Sequence, residues 1–381
     1  MSTVRTAISK PYDGKIDLRS IGRKRIHIAI FGCGQVGGRL IDQLLTAQDF
    51  IAQEQDIDLR IFAIANSSQL LLADQINFST WKQELLRSKT VSNVQAVIQF
   101  AQEKRLDNLI AVDNTASTEF ITEYDQLIEA GFNLVSSNKL ANVQPQVGYD
   151  DLRHQLKTHK GHYLYETNVG AGLPLIDTLK LLHLSGEEVT RVRGVFSGSL
   201  SYIFNQFSTM GLNFSQVVSK AKINGLTEPD PRLDLSGSDV GRKLIILARE
   251  LGYACEFQEV KIQNLIPADL RKVDRQAFED RIGELDVGMH IRRKNLSPDQ
   301  VLRYVADLKI TSNGLSLKAS LQEVPLSSPL GGLQGSDTLF EIYTPNYQKH
   351  PLVIQGAGAG ADVTARGVLG DILRIGQLIN R

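Results

Sequence analysis

The first half of the chain alternates short apolar runs with longer stretches of helical periodicity. The apolar runs are typical of buried parallel strands, and the first of them ends at glycines. The pattern predicts strands at residues 25–31, 59–65, 108–115, 132–139 and 162–172. Helical stretches separate them, two of which fill residues 81–106. Regular alternation of strands and helices predicts a doubly wound parallel sheet.

The pattern changes after about residue 172. Amphipathic helices (GLPLIDTLKLLHLSG and DVGRKLIILARELG) now mix with runs rich in β-forming residues (EVTRVRGVFSG, QVLRYVADLKI, LSLKASLQEV and TLFEIYTP). Helices and strands no longer alternate strictly, which is typical of an α+β domain. The last stretch returns to a strand, a glycine loop and a helix, and we expect this helix to pack on the first domain. The predicted fold class is therefore α/β, with an inserted α+β domain.

A glycine-rich loop follows the first predicted strand and precedes a predicted helix. The loop fits G-x-G-x-x-G with Gly32, Cys33, Gly34, Gln35, Val36 and Gly37. Glycine permits the tight turn and the close approach of the backbone to a pyrophosphate, which the helix N-terminus attracts. The loop predicts a Rossmann-like domain that binds NADP or NAD; the alternative is a glycine turn without a ligand. Cys33 is expected to be a small residue that fits, or a redox sensor if the helix terminus lowers its pKa.

The end of the second predicted strand bears on the choice of cofactor. A Rossmann strand that selects NAD usually ends in Asp or Glu, which holds the ribose hydroxyls. This strand ends in Asn66-Ser67-Ser68. No acid opposes the 2′-phosphate of NADP here, but no arginine attracts it. The residues favour NADP and leave NAD open.

An acidic segment, GLTEPDPRLDLSGSDVGRK (225–243), leads into an amphipathic helix. Ser236 and Asp239 have capping-box spacing, which predicts a helix that starts at this point and ends at Gly252. Asp239 and Lys243 are four residues apart and share a face of that helix. One interpretation is a solvated helix with a surface ion pair. The other is a preorganised pocket whose carboxylates hold an ammonium group while Lys243 donates a proton.

Composition limits the partners and the compartment. The chain has 42 basic and 42 acidic residues, a formal net charge of +0, so charge gives no reason to expect nucleic acid or an anionic membrane. It contains no apolar run of about 18 residues, and its start lacks the apolar core of a secretory signal. Two cysteines form no readable disulfide framework, which favours a reducing compartment. We therefore expect a cytoplasmic enzyme.

Several segments together resemble homoserine dehydrogenase, most closely the dehydrogenase half of the fused aspartokinase–homoserine dehydrogenases. The likeness is carried in order by SNK (137–139), ETNVGAGLP (166–174), FSGSLSYIFN (196–205), TEPDPRLDLSGSDVGRK (227–243) and GAGADVTARGVLGD (358–371). It extends from about residue 25 to the C-terminus, and no kinase-length segment precedes it, so we expect no aspartokinase activity. The chain departs from the family at Leu233, where a second acid is common, and at Leu140-Ala141 after the retained lysine.

The resemblance implies interconversion of L-homoserine and L-aspartate 4-semialdehyde with NAD(P)H, on the branch that leads to threonine and methionine. It implies that Lys243 donates the proton in the reducing direction and that Lys139 lies near the nicotinamide and the substrate. The acids that match the family's substrate-binding positions are Glu228, Asp239 and Asp234.

The resemblance also implies further contacts. Besides the glycine loop, the candidate cofactor-binding residues are Asn66, Thr115, Lys139, Gly225, Gly358 and Gly360. The family binds a monovalent cation, sodium or potassium, through backbone carbonyls, which here are those of Glu166, Val169, Ala171 and Leu173; a purely structural glycine turn is the alternative. A homodimer formed through the sheet of the central domain is also implied.

These expectations divide the chain into four parts. We expect an N-terminal, poorly ordered arm (1–24), a dinucleotide-binding domain (25–166), a catalytic and dimerisation domain (167–355), and a C-terminal turn and helix that return to the first domain (356–381). Two other functions stay open. One is another NAD(P)-dependent oxidoreductase that acts on a related amino acid or semialdehyde. The other is a catalytically silent dinucleotide-binding regulator, against which the presence of both Lys139 and Lys243 argues.

Overall fold

The computed structural model describes residues 22–77 and 79–379. All but the last three residues of the predicted N-terminal arm lie outside these ranges. The described strands form two six-stranded sheets. The first sheet consists of β1 (Lys24–Phe31), β2 (Ile57–Ala65), β3 (Leu70–Leu72), β4 (Leu109–Asp113), β5 (Asn133–Ser136) and β6 (Tyr163–Leu164). The second sheet consists of β7 (Arg191–Val195), β8 (Lys261–Ile262), β9 (Gln300–Thr311), β10 (Gly314–Pro325), β11 (Thr338–Tyr343) and β12 (Leu352–Gly356).

Helices connect and cover both sheets. They are α1 (Gln35–Gln55), α2 (Trp81–Arg87), α3 (Val94–Glu103), α4 (Tyr124–Glu129), α5 (Leu140–Val143), α6 (Gln146–Thr158), α7 (Leu175–Leu184), α8 (Gly198–Thr209), α9 (Phe214–Ile223), α10 (Arg232–Leu235), α11 (Ser238–Glu250), α12 (Arg275–Arg281), α13 (Leu285–Lys294), α14 (Pro329–Gly332) and α15 (Ala361–Leu378). Among the described residues, no helix has the length and apolar character that a membrane span requires.

The first sheet has the strand order β3-β2-β1-β4-β5-β6 and is parallel except for β3. Alternate residues of β1 point to opposite faces, so Ile26, Ile28 and Ile30 join one core and Ala29 and Phe31 join the other. Helices α1 and α15 pack on the first of these faces, and α3, α4 and α6 pack on the second. A sheet that is buried on both faces explains why its strands read as continuous apolar runs.

The carboxyl ends of the parallel strands meet at one edge. Phe31 at the end of β1 lies opposite Ala65 of β2 and Asp113 of β4. Asp113 in turn lies opposite Ser136 of β5. The glycine loop after β1, Asn66 after β2 and the loop after β5 therefore open at the same edge of the sheet.

The fifth predicted strand is much shorter than expected. Only Tyr163–Leu164 pairs with β5. The chain then forms a 3-10 turn at Glu166–Asn168, and Gly170 and Ala171 both take positive φ, +85° and +53°. Positive φ cannot continue a strand, so the prediction of strand over 162–172 is wrong beyond residue 164.

The second sheet has the order β12-β11-β7-β9-β10-β8 and is antiparallel except for the β8–β10 pair. One of its faces packs against α8 and α11. Helix α15 then returns to the first sheet and contacts α1. The predicted fold class, a doubly wound parallel sheet combined with an α+β unit, is confirmed.

Candidate active site

The glycine loop turns tightly between β1 and α1. Gly32 has φ +85°, and a Cβ there would lie 2.7 Å from the carbonyl carbon of Asn114. A Cβ on Gly37 would collide with the carbonyl oxygen of Gly32. Gly34 differs, because a Cβ on it would meet no protein atom within 4 Å. Two glycines therefore serve the turn itself, whereas Gly34 leaves free space at the N-terminus of a 21-residue helix, where a pyrophosphate fits best.

A cleft of about 680 Å³ opens beside this loop. Of the predicted cofactor-binding residues, Gly32, Gly34, Asn66 and Thr115 line it. Gln35, Val36 and Gly37 form the first turn of α1 and are not among its lining residues. Neither are Lys139, Gly225, Gly358 and Gly360. Lining residues that sequence reasoning missed include Ser92, Asn93, Glu119 and Phe120.

Asn66 closes a turn at the end of β2. Its side-chain oxygen accepts hydrogen bonds from the backbone N–H groups of Ser68, at 2.8 Å, and Gln69, at 2.7 Å. Asn93 acts in the same way at the start of α3, where its oxygen accepts from Gln95 and Ala96. Both side-chain oxygens are thus engaged by the backbone, and neither residue is a carboxylate that could hold a ribose diol.

Asp113 fixes the loop that carries Lys139. Its carboxylate accepts hydrogen bonds from the hydroxyl of Tyr124, at 2.7 Å, and the side-chain amide of Asn138, at 3.0 Å. Its backbone oxygen accepts from the N–H of Ser137 at 3.0 Å. Burial raises the pKa of Asp113, although hydrogen bonds, that of Thr115 foremost, oppose the rise. The only sequence signal for this residue was its place at the end of a buried strand.

Two lysines meet on one carboxylate. Lys243 Nζ lies 2.8 Å from Asp239 Oδ2 and donates to the backbone oxygen of Phe196 at 2.7 Å. Lys139 Nζ lies 3.5 Å from Asp239 Oδ1. Lys139 follows β5 of the first sheet, whereas Asp239 and Lys243 lie on α11, which packs against the second. The ion pair therefore joins the two halves of the chain.

The charges of this cluster depend on one another. Burial lowers the pKa of Lys243, Asp239 partly restores it, and the positive charge of Lys139 lowers it further. Burial alone would raise the pKa of Asp239, but attraction to Lys243 and then to Lys139 outweighs this effect and holds the pKa below its ordinary value. Asp239 is consequently ionised at neutral pH, and Lys243 releases its proton more readily than an exposed lysine.

The other acids of segment 225–243 have different surroundings. Asp234 accepts hydrogen bonds from the Ser199 hydroxyl, at 2.6 Å, and from the N–H of Glu228, at 2.9 Å. Burial raises the pKa of Asp234, and the Ser199 hydrogen bond opposes this. Glu228 is exposed, and Asp230 pairs with Arg232 at 2.7 Å. Only Asp239 contacts the lysines directly.

The helix predicted to start within residues 236–239 and to end at Gly252 is present, but its predicted capping box is not. Helix α11 begins at Ser238, after Gly237 at φ +72°, and no side chain caps it. Ser236 instead ends the short helix α10. The capping box fails because Ser236 keeps a helical conformation at the end of α10, so that Gly237 and not Ser236 takes the N-cap position of α11.

Comparisons with known proteins identify the family. A family model for homoserine dehydrogenase matches residues 174–373, and a model for the homoserine dehydrogenase NAD-binding domain matches residues 32–166. The chain belongs to the homoserine dehydrogenase family. The resemblance found in the sequence motifs and the prediction of a dinucleotide-binding domain in the first part of the chain are thereby confirmed.

Relatives agree with this placement. The homoserine dehydrogenase of Schizosaccharomyces pombe is 34% identical over 366 residues, which cover 93% of this chain and 96% of that protein. A bifunctional aspartokinase/homoserine dehydrogenase of Zea mays is 36% identical over 94% of this chain but only 39% of its own length. A corresponding Buchnera aphidicola protein is 38% identical and is covered to 43%. The chain thus spans about two fifths of the length of these bifunctional relatives.

Solved structures share the fold. A Candida auris protein of unknown function is 31% identical, with a TM-score of 0.84 and coverage of 93% of this chain and 99% of that one. A hyperthermophilic archaeal homoserine dehydrogenase in complex with NADPH is 22% identical, with a TM-score of 0.71 and coverage of 94% and 99%. At that identity the likeness concerns the fold alone.

The loop expected to bind a cation in this family is compact and buried. The side chain of Glu166 accepts hydrogen bonds from the N–H groups of Ile176, at 2.6 Å, and Asp177, at 2.9 Å, at the start of α7. The pKa of Glu166 is raised to about 9. Burial is the main cause, and a hydrogen bond to the carboxyl group of Asp177 is the second. In the described part of the chain no group of His, Cys, Asp and Glu side chains could hold a metal ion. The backbone carbonyls of Glu166, Val169, Ala171 and Leu173 stay candidates.

Cys33 lines the cleft as a protonated thiol. It is partly exposed, and burial raises its pKa more than its backbone hydrogen bond lowers it. A raised pKa argues against a redox sensor, which would need a low one at this helix terminus. Cys33 is consistent with the expectation of a small residue that fits the glycine turn.

Proposed function

We propose that this chain interconverts L-homoserine and L-aspartate 4-semialdehyde by hydride transfer with NADP or NAD. The observation that carries the proposal is the bridge made by Asp239 between Lys139 and Lys243. One lysine follows a strand of the NAD-binding sheet, and the other lies buried on α11. A substrate with an ammonium, a carboxylate and a reacting oxygen needs this kind of mixed, fixed charge.

Each residue has a proposed role. In the reducing direction Lys243 donates a proton to the aldehyde oxygen, and in the oxidising direction it accepts the hydroxyl proton of homoserine. Asp239 keeps Lys243 oriented and, with Glu228, holds the substrate ammonium. Asp234 supports the substrate pocket indirectly, because it accepts hydrogen bonds from the Ser199 hydroxyl and from the backbone N–H of Glu228. Lys139 binds near the nicotinamide and the substrate carboxylate. The bound cofactor supplies or accepts the hydride.

The cofactor proposal rests on the cleft. Gly34 leaves room for a pyrophosphate, and Gly32, Asn66 and Thr115 line the same cleft. The absence of a carboxylate at Asn66 favours NADP, while NAD stays possible. Gln35, Val36, Gly37, Gly225, Gly358 and Gly360 are kept as further proposed contacts. A sodium or potassium ion on the backbone carbonyls of Glu166, Val169, Ala171 and Leu173, a homodimer formed through the second sheet and a cytoplasmic location complete the proposal.

Steady-state rates test this function. Purified protein is assayed with L-homoserine and either NADP or NAD, with sodium or potassium present or absent. We expect reduction of the cofactor, faster with NADP. Turnover of another amino acid or semialdehyde, with no rate on homoserine, would favour the related oxidoreductase. Cofactor binding without any turnover would favour the silent regulator.

A single substitution tests the role of Lys243. Lys243→Met should lower kcat by roughly 10²–10⁴, the usual contribution of a positioned acid or base. The affinity for NADP, followed by nucleotide fluorescence, should change little, because Lys243 does not line the cleft. Near-normal turnover in this variant would show that Lys243 is not the proton donor.

A further inference from the structure

Arg249 joins the two elements that carry the site lysines. It lies on α11, six residues beyond Lys243. Its guanidinium donates to the backbone oxygens of Asn142, at 3.1 Å, and Gln144, at 2.8 Å. Those oxygens lie at the end of α5, the short helix that begins directly after Lys139. Arg249 thus connects the helix of Lys243 to the segment of Lys139.

The contact is buried and specific. Arg249 is 5% exposed and also donates to the backbone oxygen of Cys255 at 2.9 Å. Its guanidinium lies 4.8 Å from the ring centre of Tyr149, and the carboxylate of Glu256 is 3.7 Å away. A planar guanidinium can serve several acceptors in fixed directions, which an ammonium cannot do. Removing it would leave buried carbonyl oxygens without a donor.

A second arginine also contacts this segment. Arg153 on α6 donates to the side-chain oxygen of Asn142 at 2.8 Å and to the hydroxyl of Tyr165 at 3.0 Å. The Asn142 amide donates to Asn168 at 2.8 Å. Arg153, however, lies on α6 of the same half of the chain as α5 and does not reach α11 by itself. Of these two arginines, Arg249 alone spans both lysine-bearing elements.

The geometry of the ion pair makes this connection matter. Lys139 reaches Asp239 across 3.5 Å, the longer and weaker side of the bridge. Arg249 lies about 9 Å along the helix axis from Lys243, at 1.5 Å per residue. Because α11 is a rigid helix, the position at which Arg249 holds it also sets the positions of Asp239 and Lys243. A shift of α5 away from α11 would therefore lengthen the distance from Lys139 to Asp239 first.

We propose that Arg249 is a positioning residue, which sets the distance between Lys139 and the Asp239–Lys243 pair by holding α5 against α11. The expected effect on the rate rests on the proposed function, whereas the contact between α5 and α11 does not depend on it. Arg249 touches neither the cleft nor the lysine pair, so it acts through the two segments that it joins.

The kinetic test uses Arg249→Met and Arg249→Lys in the full chain, with homoserine and NADP. We expect kcat to fall about 10- to 100-fold in Arg249→Met, the scale of a small misplacement of catalytic groups. Arg249→Lys should have a kcat between those of wild type and Arg249→Met, because one ammonium can replace only some of the hydrogen bonds of the guanidinium. The dissociation constant for NADP should stay within about threefold, which is under 1 kcal/mol of binding free energy.

The pH profile separates positioning from a general loss of structure. Lys139 depresses the pKa of Lys243. If α5 moves away, this pKa rises, so the limb of the kcat/KM profile that belongs to Lys243 should move to higher pH. A variant that merely contains less folded enzyme would keep the wild-type profile. A wild-type kcat and profile in Arg249→Met would overturn the proposal.

Arg293 supplies a matched control. It also donates to two backbone oxygens, of Phe207 at 3.1 Å and Leu212 at 2.7 Å, and it also lies over an aromatic ring, at 4.5 Å. Arg293 lies on α13, which packs against α9, and its two acceptors belong to α8 and to the loop before α9. Arg293 is less buried than Arg249 and has two backbone acceptors where Arg249 has three. Arg293→Met should therefore lower stability, by less than Arg249→Met, but leave the pH profile unchanged.

Hydrogen–deuterium exchange gives a readout that needs no turnover. Amides of residues 140–146 should exchange faster in Arg249→Met than in wild type, and Arg293→Met should leave them unchanged. Should wild type fail to oxidise homoserine, the proposed function falls, and the exchange result still decides whether Arg249 holds α5. Unchanged exchange at 140–146 would overturn the inference. Should Arg249→Met fail to fold, Arg249→Lys carries both measurements.

Discussion

Asp239 is the residue on which the site's charge balance depends. Its carboxylate gives one oxygen to each lysine. Because Coulomb energy falls with distance, the closer Lys243 contributes more than Lys139. With both lysines protonated, the cluster of Lys139, Asp239 and Lys243 carries one net positive charge, which would suit a substrate carboxylate. Under the proposed function, the substrate ammonium would share or displace the contacts of Asp239.

The pH dependence of the reaction should report on Lys243. Homoserine oxidation needs the neutral amine and aldehyde reduction needs the ammonium, so the two rates should change in opposite directions through one pKa. Burial places that pKa below the ordinary 10.5 of lysine. Asp239→Asn removes the attraction that raises it, and the limb should move to still lower pH. Rate profiles measured in both directions check this; an upward shift in Asp239→Asn would contradict the assignment.

Gly34→Ala should separate cofactor binding from folding. The added methyl group meets no protein atom within 4 Å but occupies the space where the backbone approaches a pyrophosphate. We expect NADP to bind more weakly by on the order of tenfold, or about 1.4 kcal/mol, with an unchanged free energy of unfolding. Gly38→Ala, on the same helix, is the control, because its nearest foreign contact would be an ordinary 3.9 Å. Equal NADP affinity in both variants would argue against a pyrophosphate at Gly34.

At the residue scale, spacing predicted only part of this site. The i,i+4 relation of Asp239 and Lys243 was readable because it is local. Lys139 lies a hundred residues earlier, and its contact with Asp239 depends on how the two halves pack, which no local pattern encodes. Lys139 was identified as a site residue only through the resemblance to the family. Asp113 was missed for the same reason, since its partners come from two other segments.

At the scale of elements, the junction of α10 and α11 shows where a capping rule fails. The serines and Asp239 have the composition of a helix start, but the turn is made by Gly237 at φ +72°. The ring of Tyr304 from β9 fills the space beside it, and its hydroxyl donates to the backbone oxygen of Gln263 at 2.7 Å. A tertiary contact therefore decides where α11 begins, and with it where Asp239 and Lys243 lie.

Gly237→Ala tests this junction. A Cβ there would collide with the hydroxyl of Tyr304, and the positive φ is unfavourable for alanine. We expect the free energy of unfolding to fall by about 1–3 kcal/mol, as measured in urea, together with a lower kcat. Gly252→Ala is the matched control, since Gly252 has φ +84° but no atom within 4 Å of its Cβ. Equal losses in the two variants would mean that Tyr304 does not constrain the turn.

At the scale of the whole molecule, apolar periodicity was the most informative signal. The parallel strands are buried on both faces, so β1, β2 and β4 were readable as continuous apolar runs. The short edge strand β3, which pairs antiparallel with β2, was missed, because three residues carry too little pattern. Loop conformations such as Gly170-Ala171 were likewise unreadable, since positive φ at alanine is set by the surrounding contacts.

Helix α15, near the end of the chain, packs on the first sheet and contributes to its core. Its inner face is buried with the isoleucines of β1, and Asp371 on the same helix accepts a hydrogen bond from the N–H of Glu166 at 2.9 Å. The last described helix therefore completes the core under the glycine loop and also contacts the segment that leaves the first sheet. Loss of its packing should weaken cofactor binding although no residue of α15 lines the cleft.

Ile372→Ala tests that dependence. Ile372 is fully buried, and removing its outer carbons from a packed core should lower the free energy of unfolding by about 2–5 kcal/mol. Saturating NADP should restore part of the loss, because a ligand that binds only the folded state stabilises it. Leu378→Ala, on the same helix but 53% exposed, should change the free energy of unfolding by less than about 0.5 kcal/mol. If Ile372→Ala unfolds like wild type, or if NADP protects it no more than an unrelated nucleotide does, then α15 is not part of the cooperative unit that binds the cofactor.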